Sequence, residues 1–228
     1  DENGYFRAFG YFDLFQQAAT IHFEEGNAGP DLLFKDDLIW VVSRNRIKVI
    51  NNLKNVRSCI VDTWPHAPSK LSVTRDYVLK DGVSGKTLAI GSSLWCILNY
   101  KTRKITPISF ETFKGDYLSE SVFNDTFDKI PIIKIDECEK VNEIKVALSL
   151  YDKDHHVNNA RYADWIYDSL PLKNKYISEI QIDYVNQSFL NDIIHIYKKD
   201  LSDNKVYVAG YLETKIIFKA IVEIKEDE

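Results

Sequence analysis

A helical pattern followed by a run of long strand patterns occurs twice in this chain, in the same order. That repetition limits the folds open to it. In the first half, "FRAFGYFDLFQQAATIHFEEG" (residues 6–26) places Phe9, Phe12, Phe15, Ala19, His22 and Phe23 near the helical period, and Gly26 can end the helix. Strand patterns follow in "LIWVVSRNRIKVI" (38–50), "VRSCIVDTW" (56–64), "KLSVTRDYVLK" (70–80) and "KTLAIGSSLWCILNY" (86–100). Asp81-Gly82 and Gly85 lie between the last two, as a hairpin requires. In the second half a strand, "EIKVALSLY" (143–151), precedes a helix from Asn158 to Leu170 that stops before Pro171. Four more strands are expected in residues 177–185, 192–199, 205–213 and 214–225. Residues 101–140 carry weaker patterning and read as a connector with some local structure.

The halves also repeat residue by residue. "DENGYFRAFGYFDLF" lies on "DKDHHVNNARYADWI" without a gap, so Asp1 meets Asp152, Tyr11 meets Tyr162 and Asp13 meets Asp164. "IKVINNLKNVRSCIVDTW" lies on "IQIDYVNQSFLNDIIHIY" in the same way, starting with Ile47 on Ile180. The chain therefore reads as a tandem duplication, each copy a helix and a set of long antiparallel strands. A sheet that long must cover an apolar face, and the one long helix of each copy is the available cover. The class is α+β, and the first copy lacks the leading strand that opens the second.

Composition excludes several functions. The 228 residues are 45% hydrophobic, enough for one large core or two modest ones, and the formal net charge of −5 argues against a nucleic-acid partner. No window approaches the apolar length of a membrane span, and no signal-peptide pattern opens the chain. Methionine is absent, so the first residues of the chain are expected to be missing from it. Cys59, Cys96 and Cys138 are odd in number and lack zinc-site spacing, which fits reduced, buried thiols in the cytoplasm.

The stretch "YDKDHHVNNARYADWIYDSLP" (151–171) crowds acid and imidazole groups immediately before a helix. "HVNNARYADWIYDSLP" resembles the helix-start signature of the bacterial acyl-acyl-carrier-protein (acyl-ACP) thioesterases, relatives of the plant chain-terminating enzymes. "FGYFDLFQQAAT", "LIWVVSRNRIKV", "DTWP", "RDYVL" and "SSLWCILNYKTRKITPI" resemble first-half stretches of that family in the same order. The resemblance implies two tandem hot-dog domains, each a long helix wrapped by an antiparallel sheet. Residues 1–115 would form an N-terminal domain holding the acyl chain, 116–140 a connector, and 141–228 a catalytic domain. The family's active segment has the form Asp-x-Asn-x-His-Val-Asn-Asn. Asp152 and His156 match it, and Asp154 stands where asparagine is usual. Gln187 takes the place of the family's glutamate, and Ser188 that of the plant enzymes' cysteine.

Thioester hydrolysis needs a delivered water, a proton acceptor and donors for the developing oxyanion. A helix start supplies N–H groups without helical partners, so the amides of Val157, Asn158 and Asn159 are expected to bind the substrate carbonyl. Asp152 or Asp154 would accept the water's proton, His156 would orient substrate or water, and Gln187 would hold water by hydrogen bonds, because an amide cannot act as base. The same aspartates also suit a helix cap or tight turn, and Asp152, Asp154 and His156 suit a metal by ligand type alone. His155 reads as a surface residue, His22 and His195 as packing or surface residues, and Ser188 has no evident histidine partner for a nucleophile's role. The first copy has Tyr5 where the second has His156, so it reads as the half that shapes the acyl pocket, with Phe12 and Phe15 as candidate walls.

The implied reaction is hydrolysis of acyl-ACP to free fatty acid in the cytoplasm, with no cofactor and no metal. The implied partner is an acylated carrier protein, and pairing of two copies as a homodimer is the other association considered. Arg44, Arg46 and Lys48 alternate on one strand and, with Arg161, Lys173 and Lys175, form a candidate docking patch for an acidic carrier. Two rival readings keep the fold: an acyl-coenzyme A thioesterase, separable by assaying both thioesters, and a non-catalytic binder of acyl groups or carrier protein, which would retain its ligand without product.

Overall fold

The computed structural model describes residues 4–25, 37–52, 54–108, 117–125, 127–151 and 156–226. Helix α1 (Ala8–Glu25) is followed by β1 (Leu38–Val49), β2 (Cys59–Pro65), β3 (Val73–Asp81), β4 (Thr87–Asn99) and the short β5 (Lys104–Thr106). After a long connector come β6 (Glu139–Lys145), helix α2 (Arg161–Tyr167), β7 (Lys175–Tyr184), β8 (Ile193–Ser202), β9 (Lys205–Leu212) and β10 (Lys215–Glu226). The ten strands form one antiparallel sheet in the order β2-β3-β4-β1-β7-β10-β9-β8-β6, with β5 paired to β4.

The duplication is visible in that order. At the middle of the sheet β1 pairs with β7, and Ile47 faces Ile180, the same two residues that the sequence lays on each other. Outward from this pair the strands run β4, β3, β2 on one side and β10, β9, β8 on the other. A pseudo-twofold axis therefore passes through the Ile47–Ile180 pair. β6 extends the far edge beyond β8, and no described strand takes the matching place beside β2.

Strand alternation gives the sheet two unlike faces. One face carries Ile47, Tyr77, Leu79, Ala89, Ile180, Ile182, Phe218 and Ala220, all buried in one cluster with Phe12, Phe15 and Ala19 of α1 and Tyr162, Trp165 and Ile166 of α2. Each of the Ile, Leu and Phe side chains among these contributes roughly 1.5–3 kcal/mol when taken from water. Gly91 is required beneath α1, because a Cβ there would lie 2.4 Å from the Phe15 ring. At the β3–β4 turn, Gly85 takes φ +69, and Ser84 donates through its N–H and hydroxyl to the Asp81 carboxylate, which holds that carboxyl below the usual range.

The other face is polar near its centre and apolar across β9, where Tyr207, Ala209 and Tyr211 are buried, and the connector crosses it like a strap. Reading along the chain, Trp64 on β2 donates to the Glu120 carbonyl (2.9 Å), and the Val122 N–H donates to Asp76 on β3 (3.0 Å). Arg46 on β1 pairs with Asp125 (2.9 Å) and lies over the Phe123 ring, and Gln181 on β7 donates to the Asp128 carbonyl (2.7 Å). Lys219 on β10 donates to the Ile130 carbonyl, Ile130 packs on Tyr207 of β9, and Lys199 on β8 pairs with Glu137 (2.7 Å).

Three expectations are corrected. The second helix is shorter than residues 158–170, because the Asn158 side chain accepts the Ala160 N–H (2.8 Å) and holds a turn in place of helix. Its far end stops after Tyr167, where the Ser169 hydroxyl bonds the Trp165 carbonyl (2.6 Å). The strand expected over 143–151 runs instead from Glu139 to Lys145, ending where its partner β8 begins at Ile193. The alternating cations of β1 are not an open docking patch: Arg44 pairs with Asp183 (2.8 Å), Arg46 with Glu179 (2.5 Å) and Lys48 with Glu179 (3.2 Å). Arg161 likewise pairs with Asp164, and Lys175 with Glu226.

Asp183 is the fixed point of the polar face. It is 3% exposed and meets Arg44, Lys219 at 3.7 Å and the Ile130 N–H at 2.9 Å. Burial pushes the Lys219 ammonium below its ordinary value, and the Asp183 carboxylate opposes that shift. Asp183→Ala strands Lys219 inside the protein, so a loss of about 3–5 kcal/mol of unfolding free energy is expected in urea titration.

Candidate active site

Three chain segments meet at the start of α2. The first is the approach to the helix, where Tyr151 and Val157 form an isolated antiparallel bridge, so the ends of the intervening stretch are held together. The second is the chain leaving β7. The amides of Val185 and Asn186 both donate to the Ile217 carbonyl, and Asn186 Nδ2 donates to the Ile216 carbonyl (2.6 Å). That pins the turn carrying Gln187 and Ser188. The third is the β4–β5 hairpin of the first half, whose Arg103 sits at φ +58.

The contacts among them are specific. Val157, only 1% exposed, donates its N–H to the Ser188 carbonyl at 3.4 Å, which brings the residue after His156 against the turn after Gln187. Ser188 is fully buried, and its hydroxyl lies 2.6 Å from the Tyr162 hydroxyl. The Tyr151 hydroxyl accepts the Leu190 N–H. Arg103 donates to Gln187 Oε1 at 3.2 Å. Because a guanidinium only donates, this contact orients the Gln187 amide and leaves Nε2 as the group with donors to offer. His156 is half-buried, with Nδ1 3.4 Å from the Val157 carbonyl.

A hydrogen-bonded chain links the two halves behind this site. Asn45 on β1 donates to the Tyr184 hydroxyl (3.2 Å), which donates to the Asn159 carbonyl (3.1 Å). Burial pushes the Tyr184 phenol well above its usual value, so it remains a neutral donor.

The sequence expectations fare unevenly. Asp152, Asp154 and His155 lie outside the described residues. His156, Val157, Gln187 and Ser188 come together at the helix start as described above. The amides of Val157 and Asn158 are not unpaired: they donate to the carbonyls of Ser188 (3.4 Å) and Leu150 (3.0 Å), because the chain enters the helix through a bridge and a turn instead of from open solvent. The seven-residue α2 offers no ready-made anion site in their place. Asn158 is occupied in its own turn, and Asn159 is tied to Tyr184 through its carbonyl. Phe12 and Phe15 are buried between α1 and the sheet, where Phe15 stacks on Tyr77 with centroids 4.6 Å apart. The cavity they line with Asn45, Ile47, Tyr77 and Trp95 is about 10 Å³, room for at most one water. Ser188, bonded to a tyrosine, is placed for packing and not for attack. Sequence reasoning gave no role to Arg103, which it left in the weakly patterned connector region, or to Tyr184, which served only to locate Gln187 three residues on.

Comparison with known proteins now bears on this site. The family model described as the acyl-ACP thioesterase N-terminal domain matches residues 1–115, and that of the acyl-ACP thioesterase C-terminal domain matches residues 133–224. The chain belongs to the acyl-ACP thioesterase family. Within that family it is 31% identical over 163 residues to a chloroplastic acyl-[acyl-carrier-protein] hydrolase of Cuphea viscosissima, covering 67% of this chain and 39% of the relative. It is 32% identical over 148 residues to a chloroplastic palmitoyl-acyl carrier protein thioesterase of Arabidopsis thaliana, covering 61% of this chain and 35% of the relative. The chain thus spans well under half the length of these relatives. Among solved structures, an acyl-ACP thioesterase from Bacteroides thetaiotaomicron superposes with TM-score 0.87 at 22% identity over 99% of this chain and 92% of that one. A 12:0-ACP thioesterase from Umbellularia californica superposes with TM-score 0.86 at 19% identity, again over 99% and 92% of the two chains. The fold is therefore the tandem hot-dog α+β arrangement of the acyl-ACP thioesterases.

Tyr184→Phe removes the bridge between the halves and leaves the Asn45 amide and the Asn159 carbonyl without it. A loss of about 1–3 kcal/mol in urea unfolding is expected, with faster amide exchange at Ala160 and Arg161 in hydrogen-exchange mass spectrometry.

Proposed function

We propose that this chain hydrolyses acyl-ACP thioesters to free fatty acid and carrier protein, in the cytoplasm and without a cofactor. The observation that carries the reading is the contact of the His156–Val157 segment with the Gln187–Ser188 turn, at positions that match the family's active segment. Asp152 or Asp154 takes a proton from water as its oxygen attacks the thioester carbon. Gln187, turned by Arg103, donates through Nε2 to the thioester oxygen or to the water, in place of the helix amides. The tetrahedral intermediate collapses by breaking the carbon–sulfur bond, and the proton held by the carboxylate passes to the departing thiolate. His156 orients the water or the acyl carbonyl.

The experiment is hydrolysis of a panel of saturated acyl-ACP and acyl-coenzyme A thioesters by the purified full chain, with released fatty acid measured. Turnover of the carrier-bound series ahead of the coenzyme A series is the expected result; no free acid from either series defeats the reading. With the best substrate, Asp152→Asn and Asp154→Asn are compared, and at least one is expected to lose about 100-fold or more in kcat. Two fully active variants would remove both aspartates from the role of base.

The acyl chain is proposed to enter between α1 and the sheet of the first half, where Phe12 and Phe15 now leave little space. Phe12→Ala opens that path. It is expected to move the preference toward longer chains, by up to about fourfold in kcat/KM for each methylene newly accommodated, at roughly 0.8 kcal/mol apiece. An unchanged chain-length profile would place the acyl group elsewhere.

A further inference from the structure

At the opposite end of the β1–β7 ladder from the candidate site lies a pocket of about 120 Å³. The first half contributes Tyr5 and Phe6 from the approach to α1, Ala8 and Tyr11 from its first turns, and Asn52 and Lys54 beyond β1. In the sequence repeat these fall on His156, Val157, Asn159 and Tyr162, and on Val185 and Gln187. The second half closes the pocket with Tyr167, Leu172, Asn174 and the start of β7. The pocket is therefore the pseudo-symmetric mate of the candidate active site. The lysine and tyrosine that replace Gln187 and His156 still meet, with Lys54 Nζ 4.8 Å from the Tyr5 ring centre.

Three features say what the pocket would hold. Asn52 Nδ2 is buried and has no hydrogen-bond partner among the described residues, an unmet donor in the wall of a cavity. The Tyr11 side chain is buried at 5% exposure, and burial with the neighbouring Tyr176 pushes its phenol above the usual value, so it stays protonated. Among the described residues no Asp or Glu lines the pocket, whereas Lys54 and Lys175 do, Lys175 also pairing with Glu226 at 3.0 Å. The rest of the wall mixes the apolar Phe6, Val49, Leu172, Ile177 and Ile180 with Asn174, Tyr167 and Tyr176. Donors and a cation beside this group of apolar side chains suit an anionic head on a hydrocarbon chain.

We propose that this pocket is a second, non-hydrolytic site that takes a fatty carboxylate, its head at Asn52 Nδ2 and Lys54 Nζ and its chain along Phe6, Val49 and Ile177. Tyr5 and Lys54 hold the ligand without the imidazole and carboxamide of the other half. The choice of a fatty acid over other anionic amphiphiles rests on the proposed reaction, whose product it is; the pocket itself does not.

The test uses the full chain and dodecanoic acid below its micelle concentration. A dodecanoic acid carrying a diazirine is photolysed with the protein, and labelled peptides are mapped by mass spectrometry. Labels within residues 4–11, 47–54 and 172–177 are expected. Calorimetric titration with dodecanoate is expected to weaken by about 10-fold or more in both Asn52→Leu and Lys54→Glu, with Lys54→Gln as the milder variant and thermal unfolding as the check on folding. Dodecanol, which lacks the anion, is expected to bind the wild type no better than dodecanoate binds those variants. Labels confined to the Phe12–Phe15 region, affinities unchanged in the variants, or no saturable binding would each overturn the proposal. Labelling at the second site in a chain that hydrolyses no thioester would defeat the proposed reaction and leave this site standing.

Discussion

The pairing of β1 with β7 is the constraint on which the rest of the structure depends. It joins two copies of one unit into a single sheet and sets Ile47 against Ile180 on the pseudo-twofold axis. Because the copies meet strand to strand, each half reaches the other's functional end. Arg103 and Asn45 of the first half touch Gln187 and Tyr184 of the second, and Tyr167 and Leu172 of the second close the pocket of the first. Neither site is complete within one copy.

The polar face follows from the same architecture. A sheet with helices on one side would leave its other side to water, and here the connector covers it. The cover is fastened by groups that are costly to bury alone: Asp183, Lys219 and Arg44 near the centre, and Asp76 with Ser92 and His66 toward β2. Their charges are matched to backbone groups of the connector as well as to one another, so the connector is part of the fold and not a tether between two domains.

Much of this was legible in the sequence. The helix at residues 8–25 and most strands follow from period, and the two-copy arrangement follows from laying Ile47 on Ile180. What escaped depended on partners far away in the chain. The cations of β1 alternate as an open patch would, but their acids sit on β7 and the connector. The helix amides were judged unpaired because the carbonyls that receive them, Leu150 and Ser188, belong to turns with no periodic signal. Gln187 was found as a departure from a motif, while Arg103, which orients it, lay in a family-like stretch that gave it no role. The Phe12 and Phe15 walls were recognisable as aromatic and helical, but their tight closure depends on Gly91 and Tyr77 across the sheet.

The alternating cations of β1 acquire another meaning when the chain is followed from the ribosome. Arg44 waits for Asp183, 139 residues later, so β1 is made long before β7 can cover it. Until then its outer edge is an unsatisfied row of amides and carbonyls flanked by Ile39, Val41 and Val42. Such edges recruit strands from other molecules, and inward or edge-placed positive charge is a common guard against that. Arg44, Arg46 and Lys48 stand along that edge, so side chains that are neutralised in the finished protein would keep the half-made one from joining its neighbours.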